Sequence, residues 1–375
     1  MTSIFAEFTS FKFGMAFISF ATCLMIIVMK HRVPRINGRP GVTSAVQAAH
    51  SRVTPRIGGV GVGCAVGIGI LLSPTIGTEA HTGIFGAAAL LFAVGLAEDL
   101  GFLVSPRNRL LATLAASLLA VGILGHWLPR VDVPFMDPLL RYWFFGIPFT
   151  LLLTAGVANG FNLIDGVNGL AATTGMVAAL ALSSIALNVG YDAMVHAALL
   201  LAAGLLGFLL LNYPFGLIFL GDAGAYTAGF ILAWIGIAIV VFSPLVSAWA
   251  VLLTMFWPLA DTLIAMFRRR HKSGATMSPD RLHAHQLVMR ALEICWLGRS
   301  NRHISNPVST LVLLPFVIAP PITGVALWNQ SLPAFLAVFF YCALFAISYL
   351  LGGRIVRRLR RKTYREGSVA KLKKG

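Results

Sequence analysis

Eleven long apolar runs limit what this chain can fold into. They lie near residues 11–29, 58–76, 82–97, 110–127, 143–158, 170–188, 193–211, 225–242, 246–267, 309–328 and 332–351. A helix that crosses a bilayer needs about 20 mostly apolar residues, and inside lipid only helices or closed barrels satisfy every backbone hydrogen bond. The runs are continuous rather than alternating, so they predict helices. We therefore predict an all-α polytopic membrane protein with about eleven transmembrane helices, or about ten if one short run is re-entrant.

The basic residues indicate which side of the membrane each connection faces. Only 11% of the residues are charged, yet the net charge is +16. With eleven helices, 26 of the 29 lysines and arginines fall on one side, and the other side holds Lys12, Arg130 and Arg141. An excess of positive charge marks the cytoplasmic side. This placement argues against nucleic acid as a partner, and it predicts that the basic tail 354–375 lies against the anionic headgroups of the lipid bilayer.

Two polar islands interrupt the apolar pattern. NGFNLIDGVNGLAA runs from Asn159 to Ala172, and FLGDAGAYTAGF runs from Phe219 to Phe230. A charged side chain at bilayer depth costs roughly 2.5–3.5 kcal/mol on insertion scales, so such residues usually mark a pathway or an active site. Both islands, and the other polar stretches, fall in connections on the basic side. We therefore predict one composite site at the cytoplasmic face.

Acidic and amide side chains in these islands are suited to metal binding. Asn159, Asn162, Asp165 and Asn168 are spaced three apart and would share one face of a helical turn. Hard oxygen ligands of this kind suit magnesium that is bound together with substrate phosphates. Asp222 adds a second carboxylate, although an aspartate at the start of a helix is also a common N-cap.

The acidic pair at the end of the third run has two interpretations. Glu98 and Asp99 are adjacent, so their charges repel and one of them could titrate at high pH. Such a pair suits a metal ligand or a general base. It is equally consistent with an interfacial pair that Arg107 and Arg109 balance.

Basic side chains on the same side could bind anions. Arg52 and Arg56 precede the second run and could hold phosphate, or they could serve only to set the topology. His283 and His285 are two apart, a spacing that suits an extended segment better than a helix. They lack further ligands for zinc, so with Arg281 they are candidate phosphate or sugar ligands.

Taken in order, the motifs resemble those of one known family. TPRIGG, GLAEDL, NGFNLIDGVNGLAA, FLGDAG and WPLADTLIAMFRRR with SPDRLHAHQ follow the pattern of the polyprenyl-phosphate N-acetylhexosamine-1-phosphate transferases, which form glycosyltransferase family 4. The resemblance spans roughly residues 52–286. Asp261–Thr262 and SPDRLH make it closer to the enzymes that start O-antigen, enterobacterial common antigen or teichoic acid synthesis than to the peptidoglycan-precursor translocase.

The resemblance implies a ten- or eleven-helix fold in the bacterial cytoplasmic (inner) membrane, with a cytoplasmic active site. It implies transfer of a sugar-1-phosphate from a UDP-N-acetylhexosamine to undecaprenyl phosphate, which releases UMP and begins a cell-surface glycan such as O-antigen lipopolysaccharide. It implies Mg²⁺ as the cofactor, with Mn²⁺ as a substitute, and it allows a homodimer. We expect a single transferase domain over residues 1–353 that contains a cytoplasmic loop 268–308, followed by the tail 354–375.

The resemblance also implies roles for individual positions. The catalytic positions are Glu98, Asp99, Asp165 and Asp222, and the magnesium ligands are Asn162 and Asp222. The substrate-binding positions are Arg52, Arg56, Asn159, Gly166, Asn168, Phe219, Asp261, Arg281, His283 and His285. Among these, Phe219 would stack on uracil, and the two histidines would lie near the sugar and diphosphate.

Three positions depart from the family pattern. Glu98 stands where the family usually has aspartate, which leaves its exact role open. Asn168 replaces a common aspartate, and its amide fits contact with the base better than metal binding. Gln286 replaces the last histidine of the usual motif, so the donor sugar is not decided by the sequence.

A membrane transporter or flippase for a lipid-linked or nucleotide sugar is the alternative function. Transporters also place polar islands in broken helices, but at the bilayer midplane and in two related halves of the chain. Here the islands lie at the cytoplasmic ends of the runs, and the sequence shows no internal repeat. These two features favour the transferase.

Overall fold

The computed structural model describes residues 2–32, 54–72, 79–270 and 283–372, and these residues form helices and turns without any strand. The helices are α1 (Thr2–Met29), α2 (Gly59–Leu72), α3 (Glu79–Asp99), α4 (Pro106–Leu124), α5 (Asp137–Leu140), α6 (Trp143–Ile164), α7 (Leu170–Asn188), α8 (Asp192–Asn212), α9 (Gly221–Phe242), α10 (Ala248–Thr254), α11 (Phe256–Arg270), α12 (Ala284–Leu292), α13 (Arg302–Ala326) and α14 (Ser331–Leu372). Arg52 and Arg281, both predicted to bind substrate, lie outside the described residues.

Every predicted apolar run is mostly helical where the chain is described, although the run 246–267 is divided between α10 and α11 and the run 110–127 ends in coil after Leu124. Within that part, eight helices are long and apolar enough to cross a membrane: α1, α4, α6, α7, α8, α9, α13 and α14. A ninth span is formed if α10 and α11, which meet at an angle of 83°, are taken together. The helix α2 is shorter, with 14 described residues, and α3 is not among the spans. The all-α membrane fold is confirmed, whereas the predicted ten or eleven crossings remain a prediction.

Helix α9 lies at the centre of the bundle, with 78% of its apolar window buried inside the protein. Small residues allow its neighbours to approach closely. A Cβ atom built on Gly95 of α3 would lie 2.6 Å from the Cα of Ala223, and one built on Gly59 of α2 would lie 2.3 Å from the backbone nitrogen of Gly224. Both contacts are made at the first turn of α9, so they fix this turn against α2 and α3.

A polar network ties the connections together at the end of the bundle where α9 finishes. The Asp132 carboxylate accepts hydrogen bonds from the backbone N–H of Ala248 at 2.8 Å and from the Ser331 hydroxyl at 2.7 Å, and it pairs with Arg130. The Arg130 guanidinium also donates to the carbonyl of Val246 at 2.6 Å. The network therefore holds the starts of α10 and α14 together.

The segment predicted as a loop over 268–308 is largely helical where it is described. Helix α11 continues to Arg270, and α12 is followed by a π-helical turn (Glu293–Leu297) and a short 3₁₀ turn (Arg299–Asn301). Helix α13 then begins at Arg302. The predicted tail 354–375 is likewise a continuation of α14 as far as Leu372. Hydropathy identified these residues as polar but gave no information on their helicity.

Candidate active site

Three helix ends meet at one point in the bundle. Helix α3 ends at Asp99, α6 ends one residue before Asp165, and α9 begins at Gly221. The Asp99 carboxylate accepts hydrogen bonds from the backbone N–H groups of Asp222 at 2.9 Å and Ala223 at 2.8 Å. The Asp165 carboxylate accepts from the N–H of Gly221 at 3.2 Å. The first N–H groups of a helix have no partner within the helix and carry partial positive charge. Carboxylates from two other helices satisfy them here.

Asp222 is not the cap of its own helix. The N-cap position is Leu220, and the Asp222 carboxylate, 5% exposed, is paired with the Arg109 guanidinium. Arg109 lies in the first turn of α4, which Ser105 caps by accepting a hydrogen bond from the N–H of Asn108 at 3.1 Å. The sequence offered Arg109 only as a balance for the acidic pair. Its place beside Asp222 makes it an additional site residue.

The two residues of the acidic pair, Glu98 and Asp99, make different contacts. Glu98 accepts a hydrogen bond from the N–H of Val104 at 2.9 Å and so closes the turn that follows α3. Asp99, 4% exposed, bonds to α9 instead. Desolvation raises the pKa of Asp99 to about 8, with a further contribution from the neighbouring Asp222 carboxylate.

The end of α6 brings its amide side chains toward α9. The Tyr226 hydroxyl lies 3.3 Å from Asn159 Oδ1 and also bonds to the side chain of Asn162. Desolvation raises the pKa of Asp165 to about 7. The predicted common face therefore exists for Asn159 and Asn162, with Asp165 at its end. Tyr226 was not predicted as a site residue, because it lies where the second polar island overlaps the apolar run 225–242 and a tyrosine there is also expected as an ordinary apolar packing residue.

The helical face does not extend to Asn168, in contrast to the prediction from the spacing of three. Helix α6 ends at Ile164, and the chain turns so that Gly169 has a positive φ of 80°. Asn168 is 4% exposed, and its side-chain amide donates to the carbonyl of Pro214 at 2.8 Å. Asn168 thus faces the connection between α8 and α9 rather than the carboxylates.

The TPRIGG motif pairs with the FLGD motif through the backbone. The N–H of Phe219 donates to the carbonyl of Pro55 at 2.8 Å, and the N–H of Gly58 donates to the carbonyl of Phe219 at 2.8 Å. Gly221 has a φ of 75°, and a Cβ atom there would lie 1.8 Å from the carbonyl oxygen of Arg56. Desolvation raises the pKa of Asp99 and Asp165, and the positive charge of Arg56 offsets part of that rise. Arg56, a predicted phosphate ligand, therefore lies near these carboxylates.

The histidine segment is held by Asp261 of α11. The Asp261 carboxylate lies 3.0 Å from His283 Nδ1 and accepts the backbone N–H of Ala284 at 3.0 Å. His283 has the predicted extended backbone, but His285 already belongs to α12. The two rings stack with centroids 5.7 Å apart. Desolvation lowers the pKa of His285 to about 4.

His285 connects this segment to the first polar island. A Cβ atom built on Gly166 would lie 2.6 Å from His285 Nε2, so only glycine leaves room for the ring. Gly166 and the two histidines, which come from distant parts of the sequence, are therefore neighbours in the structure.

The oxygen ligands near the start of α9 suit a hard cation whose remaining ligands come from a substrate. Asp165, Asp222 and Asn162 supply carboxylate and amide oxygens, and magnesium is usually bound through one or two carboxylates plus phosphates and water. Among the residues that the structure describes, no group of three or more His, Cys, Asp or Glu side chains is placed to hold a metal ion, so amide and substrate oxygens would have to complete the site. The donor set suits magnesium that arrives with a phosphate substrate.

Comparison with known proteins identifies what this chain is similar to. The family model "Glycosyl transferase family 4" matches residues 81–240, the part of the chain that contains α3 to α9 apart from two residues at each end. A probable undecaprenyl-phosphate N-acetylglucosaminyl 1-phosphate transferase of Bacillus subtilis (strain 168) is 27% identical over 273 residues, which is 71% of this chain and 75% of the relative.

Two further relatives have related names. The undecaprenyl-phosphate alpha-N-acetylglucosaminyl 1-phosphate transferase of Escherichia coli (strain K12) is 26% identical over 339 residues, covering 84% of this chain and 86% of the relative. The decaprenyl-phosphate N-acetylglucosaminephosphotransferase of Mycolicibacterium smegmatis is 28% identical over 284 residues and covers 68% of each. Over residues 81–240 the chain is thus similar to glycosyl transferase family 4, and these relatives, at 26–28% identity, are named as polyprenyl-phosphate N-acetylglucosamine-1-phosphate transferases.

Proposed function

We propose that this enzyme transfers a sugar-1-phosphate from a UDP-N-acetylhexosamine to undecaprenyl phosphate at the cytoplasmic face of a bacterial inner membrane. UMP and a polyprenyl-diphosphate-sugar would be the products, and the reaction would begin a cell-surface glycan such as O-antigen lipopolysaccharide. The observation that carries the proposal is the meeting of Asp99, Asp165 and Asp222 at the start of α9. The placement of the basic residues in the sequence supports the orientation.

The reaction is a phosphoryl substitution between two phosphate compounds. An oxygen of the lipid phosphate forms a bond to the sugar-bearing phosphorus of the UDP-sugar, and the bond from that phosphorus to UMP breaks. The lipid phosphate is already anionic near neutral pH, so its activation requires little proton transfer. The protein therefore contributes mainly by placing the two phosphates in line and by stabilising charge as UMP leaves.

We assign roles from the contacts at the helix ends. Asp222, with Asn162 and Asp165 beside it, would hold magnesium, which when bound would polarise the diphosphate and stabilise the departing UMP. Arg109 orients the Asp222 carboxylate. Because both oxygens of Asp99 accept N–H groups of α9, we assign Asp99 the positioning of that turn.

The remaining predicted residues fit the substrates by location. Arg56 lies near the carboxylates and would bind phosphate. Phe219, whose backbone is hydrogen-bonded to the TPRIGG motif, would stack on uracil. Asp261 holds His283 directly, and His285 lies beside Gly166. We propose that the two histidines contact the sugar or diphosphate end of the donor.

A transporter or flippase has one structural feature in its favour, the bent pair α10 and α11. Alternating-access transporters use broken helices, but as corresponding pairs in two halves with the site at their midpoint. The described residues contain a single bent pair, and the acidic residues lie at helix ends. The transferase is therefore the better supported function.

Release of UMP by purified protein tests the proposal. The assay would contain detergent, undecaprenyl phosphate, magnesium and a panel of UDP-amino sugars. We expect release that requires both lipid and magnesium, and a loss of about 100-fold or more in Asp222→Asn. Asp192→Asn is the matched control, because it removes an exposed carboxylate at the first residue of α8, the end of this helix that lies away from the candidate site. Folded wild-type protein that released no UMP with any donor would contradict the proposal, as would full activity in Asp222→Asn.

A further inference from the structure

The first nine residues of α13 include four polar side chains that are buried. Their exposure is at most 2%, and they are Ser305, Asn306, Ser309 and Thr310. Buried polar groups are nearly always hydrogen-bonded, and at membrane depth an unmet one is costly. Ser309 donates to its own helix, to the carbonyl of Ser305 at 2.5 Å. Asn306 and Thr310 reach a different part of the chain.

Asn306 and Thr310 form hydrogen bonds with the backbone N–H and the backbone carbonyl of Asn168. The N–H of Asn168 donates to Asn306 Oδ1 at 2.8 Å, and the Thr310 hydroxyl donates to the carbonyl of Asn168 at 2.6 Å. Residues four apart on a helix lie on the same face, so the two side chains act together. The backbone of Asn168 has left α6 and cannot use helical partners, and α13 supplies them instead.

The turn 165–169, which Asn306 and Thr310 hold through the backbone of Asn168, also makes contacts within the candidate site. Three residues before Asn168, Asp165 accepts the N–H of Gly221, and Gly166 accommodates the ring of His285. Helix α13 also packs against α12, and Arg302 pairs with Glu293 in the turn that follows α12 at 2.9 Å. The start of α13 therefore bonds directly to the turn at Asn168 and is joined to the helix that carries His285.

We propose that Asn306 and Thr310 are positioning residues for the UDP-sugar. They fix the turn 165–169 in the conformation that receives the donor, without touching the reacting atoms. The inference rests on the proposed transferase function and extends it to a helix outside residues 81–240, the range that the family model matches. The lipid acceptor should be affected little, because these contacts act on the turn beside the histidines.

Kinetics of four variants test the inference. Thr310→Val keeps the side-chain shape and removes the hydroxyl, and Asn306→Leu removes the amide. Each should raise the KM for the UDP-sugar about tenfold, equivalent to about 1.4 kcal/mol, while the KM for undecaprenyl phosphate stays near the wild-type value. Thr310→Ser retains the hydroxyl and should restore the wild-type donor KM. Ser309→Ala is the control, since Ser309 is equally buried but bonds only within α13.

The outcomes separate this inference from the function on which it rests. A wild type that releases no UMP overturns both. An active wild type with an unchanged donor KM in Thr310→Val overturns the inference alone, and so does an equal rise in both KM values or an equal effect of Ser309→Ala. If Asn306→Leu does not fold, the comparison of Thr310→Val with Thr310→Ser decides.

Discussion

Replacement of Asp99 tests whether this residue positions α9 or acts as a base. Its carboxylate is buried and accepts two N–H groups from the first turn of α9, at 2.9 Å and 2.8 Å. Asp99→Ala removes both acceptors. Asp99→Asn keeps one oxygen acceptor but turns an NH₂ group toward the other N–H. The structure therefore predicts a graded series, in which wild type exceeds Asp99→Asn and Asp99→Asn exceeds Asp99→Ala.

The magnitude follows from the two hydrogen bonds. Leaving a buried N–H unsatisfied costs about 1–3 kcal/mol. Removing Asp99 also relieves its repulsion with Asp222, which offsets part of that loss. We expect Asp99→Ala to lose about 2 kcal/mol of stability, seen as a fall of a few degrees in Tm. Displacement of Asp222 by about 1 Å would lower kcat on the order of 100-fold.

Thermal melting and UMP release should be measured on the same detergent preparations. Asp192→Asn is the control, because it removes an exposed carboxylate that does not contact the first turn of α9, and it should differ little from wild type. If Asp99→Asn and Asp99→Ala were equally inactive and both melted at the wild-type temperature, Asp99 would act chemically, and the reasoning from α9 would be refuted.

Three further predictions concern other parts of the molecule. Asp132→Ala should lower Tm by several degrees and leave both KM values unchanged, whereas Asp132→Asn, which tolerates the positive φ of 57° and keeps an oxygen acceptor, should lose less. Gly221→Ala should abolish UMP release, because its Cβ would collide with the carbonyl of Arg56, while Gly67→Ala, which meets no atom within 4 Å, should be fully active. Chelation by EDTA should stop UMP release and added Mg²⁺ should restore it.

Each of these predictions has a result that would contradict it. A changed KM in Asp132→Ala would mean that the network at the far end of α9 reaches the site. An active Gly221→Ala would mean that the first turn of α9 tolerates a different backbone. Undiminished release in EDTA would exclude the assigned metal role of Asp222. Each result can be read from the same UMP assay.

The sequence predicted the helices well because their signal is local. A continuous apolar run forms a helix in lipid whatever its neighbours are, and all eleven runs are mostly helical where the chain is described. The number of crossings stays a prediction, because the described residues contain eight spans, or nine with the bent pair α10 and α11, and α2 is described over only 14 residues. Glycines of α2 and α3, such as Gly59 and Gly95, pack against α9.

The sequence named candidate site residues but could not give their contacts. The convergence of Asp165 and Asp222 followed from their position on one side of the membrane. Which atom meets which depends on the rotation and depth of each helix, so the sequence could not show that Asp99 binds the N–H groups of α9 or that Arg109 pairs with Asp222. Asn168 was misplaced because a spacing of three predicts a shared face only while the helix continues.

The acidic side chains around the start of α9 have a consequence for how salt affects binding. There are four, those of Glu98, Asp99, Asp165 and Asp222. The guanidinium groups of Arg56 and Arg109 are two, and a pKa of about 8 leaves the Asp99 carboxyl mostly protonated at neutral pH, so the local charges nearly balance. A basic phosphate pocket loses affinity as ionic strength rises, because salt screens the attraction. Here the Kd of the UDP-sugar without divalent cations should change little with monovalent salt at neutral pH, and it should fall with added salt only above about pH 8, where Asp99 becomes ionised and repels the anionic substrate.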